Sequence, residues 1–85
     1  MTEFDRICNE AELGDLRKKN RTIDVVTKRH AIWYKMYADS PNYSEISRQS
    51  GRDRCTIMSG IKRFDNLLGA NDKRAVETWE KVKMV

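Results

Sequence analysis

Between Asn42 and Leu68 the chain carries two helical patterns of unequal length, broken at Ser50-Gly51, and that break constrains the fold most. Asn42 is a good N-cap, and Glu45 three residues on can reach back to complete a capping box over a helix of about two turns. Gly51 can take the left-handed conformation that reverses the chain, and Asp53 then offers a second N-cap. Beyond it Ile57, Ile61, Phe64 and Leu68 fall within one narrow arc of a helix over about 53–68. Gly60 sits between them, where another helix can pack closely. Cys55, Ser59, Lys62 and Asn66 lie on the opposite arc, small and polar first, then basic. Met58, beside Ile57, is expected at the edge of the core.

The remaining segments read as helices able to brace that pair. Residues 3–13 place Phe4, Ile7, Cys8 and Ala11 on one side. Residues 24–38 repeat Val25, Ile32 and Met36 along one stripe with Val26, Trp33 and Tyr37 beside it, broad and aromatic enough for a central helix. Pro41 stops it, because the residue before a proline is driven out of the helical region. Gly69 is expected to end the 53–68 helix, and Asn71 to cap a last one anchored by Val76 and Trp79. With four glycines and one proline in 85 residues, the expectation is a single all-α domain, a small helical bundle.

Charge is segregated along the chain. Residues 17–30 and 48–63 together hold 11 of the 17 basic residues and 2 of the 13 acidic ones. The first fourteen residues run the other way, with Glu3, Asp5, Glu10 and Glu12 against Arg6. A positive face of this kind suits a polyanion, although basic residues also merely solvate helix surfaces.

Two helices joined by a short turn containing glycine, the second basic and small-faced, have the layout of a helix-turn-helix. A DNA major groove about 12 Å wide admits one helix, and its first turn can reach base edges if a supporting helix holds it end-on. Small residues such as Cys55, Thr56 and Ser59 let the backbone come close, while arginines neutralise phosphates and read guanine through paired donors. An ordinary helical hairpin has the same layout.

The run Gly51-Arg52-Asp53-Arg54-Cys55-Thr56-Ile57 resembles the C-terminal DNA-binding domain of the bacterial replication initiator DnaA, a Trp-repressor-like helix-turn-helix. That family opens its recognition helix with glycine and Arg-Asp-His-Thr-Thr. Its Pro-Glu-Ile is matched here by Ser44-Glu45-Ile46, and its Asp-Leu plus basic cluster by Asp15-Leu16 with Lys18, Lys19 and Arg21. Its Arg-Gln-x-Ala-x-Tyr helix start is echoed by Arg29-His30 and Tyr34. The similarity spans residues 12–64, with single-residue deletions near 39–42 and at 50–51. It implies base contacts from Asp53, Arg54 and Cys55, and a minor-groove or phosphate role for the 15–22 connector through Lys18, Lys19 and Arg21. Phosphate contacts are implied for Arg29, Arg52, Thr56, Ser59, Lys62 and the amides around Tyr43 and Ser44. Arg54 stands where the family has histidine and Cys55 where it has threonine, so the base preference should differ, with Arg54 favouring guanine. Asp53 could accept from a cytosine amino group or cap the helix, the cap being its main expected role.

The expected function is therefore sequence-preferring binding of double-stranded DNA by a small replication or transcription regulator, stand-alone and phage-borne or part of a larger protein. No Gly-x4-Gly-Lys-Ser/Thr loop is present, so an initiator ATPase is not expected. The alternative is a module of the same fold that holds a replication or transcription protein through its acidic N-terminal helix or its Trp79 helix. His30 is the only histidine, which leaves no His-based metal site or triad; a partly buried structural role or a phosphate contact is expected of it. Neither a metal, a cofactor nor an enzymatic activity is expected. Cys8 and Cys55 are expected as thiols in a cytoplasmic setting, bacterial or phage-infected. No apolar run approaches the roughly 18 residues of a membrane span.

Overall fold

Thr2, Asn42, Asp53 and Asp72 each stand one residue ahead of a helix and accept a hydrogen bond from a backbone N–H three residues on. In the computed structural model, which describes residues 2–11 and 23–85, they open α1 (Glu3–Glu10), α3 (Tyr43–Ser50), α4 (Arg54–Gly69) and α5 (Lys73–Val82). The longest helix, α2 (Ile23–Asp39), runs 17 residues and packs against all four others. The described residues form an all-α bundle without strands, as the sequence leads one to expect. No helix among them is long and apolar enough to cross a membrane.

Helix α2 is central because its inner face is apolar along most of its length. Ala31, Ile32, Trp33 and Met36 are buried there, against Phe4 and Ile7 of α1, Ile46 of α3, Ile57, Ile61 and Phe64 of α4, and Ala75 and Val82 of α5. Each fully buried Ile or Phe contributes roughly 1.5–3 kcal/mol relative to an exposed one. An aromatic cluster joins α2, α4 and α5: Tyr34 meets Trp79 edge-on at 5.1 Å and Phe64 at 5.5 Å. The Tyr34 hydroxyl donates to Asp65 Oδ1 at 3.0 Å, which keeps its polar end in solvent. Helix α1 is tied to α3 by a bond from the Phe4 N–H to Gln49 Oε1, 3.0 Å long.

Several local expectations need correcting. Helix α1 ends at Glu10 with Ala11 as its C-cap, short of residue 13. The capping box of α3 is half made: Asn42 accepts from the Glu45 N–H, but the Glu45 carboxylate is taken by Arg48 and Gln49 instead of reaching back. Asn71 does not cap α5. It closes α4 in the left-handed conformation, φ 56°, with its own N–H bonded to Leu68 O and that of Asp72 to Leu67 O. That pair of bonds is a Schellman motif, so the reversal falls on Asn71 two residues after Gly69, and Asp72 caps α5. Helix α5 buries Ala75, Thr78 and Val82, with Val76 and Trp79 only partly covered. Met58 is 48% exposed and lies outside the core, because it is rotated about 100° from Ile57 on the helix.

Candidate nucleic-acid interface

The turn between α3 and α4 is held at each of its three residues. Gly51 adopts φ 69°, ψ 29°, and its N–H bonds Ser47 O at 3.0 Å. The Ser47 hydroxyl donates to the carbonyl of Arg52. Asp53 Oδ1 accepts from the Thr56 N–H at 2.7 Å, and the contacts from Thr56, backbone first, hold its carboxyl below the ordinary carboxylate range. The cap expected of Asp53 is therefore formed. A glycine in the left-handed region and a carboxylate at the next helix start are what an abrupt reversal requires.

That turn sets out α4 with one face sealed and one open. Ile57 and Phe64 are fully buried, and Gly60 and Ile61 lie between them at the α2 contact. Asp53, Arg54, Cys55, Thr56, Ser59 and Lys62 are all exposed, as is Arg63. Arg52 is half-buried. Neither cysteine is in a disulfide, Cys55 being on the surface and Cys8 in the core.

Beside this face runs an open groove whose walls come from α4 and α2. His30, Asp53, Cys55, Ser59, Lys62 and Arg63 line it, and Gly60 forms part of its floor. His30 reaches it because Gly60 has no side chain: a Cβ there would lie 2.7 Å from His30 Cδ2 and from two Trp33 ring carbons. The imidazole packs on Trp33 with ring centroids 5.3 Å apart. Burial, then the charges of Arg63 and Arg29, push its pKa down to about 4, so the ring is neutral at physiological pH.

The expected phosphate contacts divide. Ser44 is exposed at the first turn of α3, where helix amides have no intrahelical acceptor; Asn42 takes that of Glu45. Tyr43 is half-buried with its ring stacked on Tyr37 at 4.6 Å. Arg29 departs from expectation. It is 7% exposed, and burial followed by the charge of Arg52 holds its pKa below the usual guanidinium value. It is buried and does not face outward. Lys18, Lys19 and Arg21 lie outside the described residues, with the rest of the 15–22 connector.

His30, for which partial burial or a phosphate contact is expected, is partly buried and reaches the groove, and Arg63 and Asn66 join it there although the sequence does not mark them as contacts. The signal for the last two was present: Thr56, Ser59, Arg63 and Asn66 recur at three- and four-residue steps, so they share a flank. The alternative docking surfaces are less open than their composition suggests. Trp79 is engaged by Tyr34 and Phe64, and Glu3 and Glu10 of α1 both pair with Arg6. No family model, curated protein or solved structure matches this chain.

Proposed function

We propose that this chain binds double-stranded DNA with a sequence preference, α3 and α4 acting as a helix-turn-helix, and that it serves as a small regulator of replication or transcription. One observation carries the reading: the first turn of α4, with Arg54, Cys55 and Thr56, is exposed on a helix whose opposite face is buried at Ile57 and Phe64. A helix held this way can enter a major groove end-first without unpacking. The Arg54 guanidinium offers the paired donors that recognise guanine O6 and N7, and Arg52, Lys62 and Arg63 are positioned by sequence spacing to meet phosphates on either side. The run from Gly51 to Ile57, similar to the opening of the DnaA recognition helix, supports the same assignment. In this role Asp53 caps the helix.

Titration with a duplex oligonucleotide at increasing salt tests this. A basic face that displaces counterions from DNA gives an affinity that falls steeply with salt, with a log–log slope of about −0.9 per phosphate contacted. Absence of duplex binding, together with salt-insensitive binding to a replication or transcription protein, would favour the protein-docking module instead.

A further inference from the structure

The groove between α2 and α4 contains the one side chain in the molecule that can change charge near neutral pH. We propose that this groove seats a backbone phosphate of the bound duplex between His30 and Arg63, and that seating it places a proton on His30. The inference rests on the DNA-binding reading and adds to it a contact and a regulator, hydrogen ion, that the reading does not require.

The geometry supplies the contact. His30 is on α2, yet the missing side chain at Gly60 brings its ring to the wall of a groove that opens beside the exposed face of α4. A phosphate running along the edge of α4 therefore meets the imidazole and the Arg63 guanidinium together. Ser59 and Asn66 on the same wall add uncharged donors. The charged groups around the ring are Arg29 from its own helix and, from α4, Arg63, Lys62 and the Asp53 carboxylate at its cap. Asp53 is occupied by Thr56, so the surroundings of the empty groove are cationic and disfavour a further positive charge.

A phosphodiester in the groove reverses that balance. Its negative charge offsets Arg63, and it accepts a hydrogen bond from a protonated ring nitrogen, so the imidazolium becomes the favoured form. The reaction is simple to balance: neutral imidazole takes one proton from solvent as the phosphate binds and returns it on release. Binding must then tighten as pH falls. If the phosphate restores the ring to its ordinary value of 6.5, affinity rises about tenfold between about pH 7.5 and about pH 5.5. With one histidine in 85 residues, no other side chain of ordinary pKa titrates in that window.

The test uses the full chain and a mixed-sequence duplex of about 20 base pairs, with affinity measured across that pH range for wild type and His30→Gln. Expected is a roughly tenfold gain on acidification in wild type and a flat profile in the variant. The ring pKa of wild type, followed by NMR with and without the duplex, should rise on binding, and this reading needs no variant to fold. A flat wild-type profile with an unmoved ring pKa would overturn the inference while leaving a salt-dependent duplex complex, and so the DNA-binding reading, standing. Persistence of the pH dependence in a folded His30→Gln would overturn it too. Absence of any duplex binding would overturn both together.

Discussion

Gly60 of α4 and Trp33 of α2 touch with no space for a side chain between them: a Cβ at 60 would stand 2.7 Å from the indole carbons Cε3 and Cζ3. Trp33 is 1% exposed and cannot swing aside. This contact sets how closely α4 lies on the central helix. Gly60→Ala improves helix propensity by about 1 kcal/mol, but overpacking costs about 1–3 kcal/mol and wins where the neighbour is a rigid ring. The expected outcome is a net loss of up to about 2 kcal/mol, measured by urea denaturation.

Asn71 and Gly51 are the two described residues with positive φ, and they should respond differently to substitution. Asn71→Gly removes side-chain strain in the left-handed region and should hold or raise stability. Asn71→Val and Gly51→Val place a branched side chain there, and each should lose about 1–2 kcal/mol. Thermal melting of the three variants checks this, with a shift of about 4–8 °C per kcal/mol expected for a domain of this size.

Gln49 should matter more than a surface glutamine. Its amide oxygen accepts from the Phe4 N–H and its amide nitrogen donates to Glu45 Oε1 at 2.9 Å, joining α1 to α3 across 45 residues of sequence. Gln49→Leu keeps the bulk but leaves the Phe4 N–H without that acceptor, at a cost of about 1–3 kcal/mol. Hydrogen exchange at Phe4 should quicken selectively, since the loss is local to the first turn of α1.

Acid should destabilise the free protein in two windows. His30 has its folded pKa depressed from 6.5 to about 4, so the unfolded chain binds the proton first. Stability is full above 6.5 and declines as pH falls toward 4, by about 1–2 kcal/mol once the partial exposure of the ring is allowed for. Glu45 is drawn down to about 2 by its hydrogen bonds from Arg48 and then Gln49, so its contribution is present above 4.5 and lost toward pH 2. Denaturation midpoints across pH should show the first decline vanish in His30→Gln and the second shrink in Glu45→Gln, with the part due to the lowered Asp53 and Glu3 carboxyls remaining.

What could be read from the sequence was local, and what could not was tertiary. Asn42, Gly51 and Asp53 announce themselves because a cap or a left-handed turn needs only the residues beside it. Asn71 and Asp72 were harder, since both are capable caps, and the order of their tasks depends on which carbonyls α4 leaves open. The burial of Arg29 could not be foreseen from a basic run, because it depends on which parts of α2 the other helices cover. The partial burial of His30 was legible, but its place in the groove depends on the gap at Gly60. Arg54, Cys55 and Thr56 were legible as an outward-facing set because the apolar stripe from Ile57 to Phe64 fixes the phase of α4.

Groove reading by Arg54 is tested by presenting the wild-type chain and Arg54→Ala with a library of randomised duplexes and comparing the sequences each retains. Wild type is expected to select a motif containing guanine, and the variant to lose that guanine while keeping the salt-dependent affinity supplied by Arg52, Lys62 and Arg63. Identical motifs from both proteins, or no retained duplex from either, would contradict it.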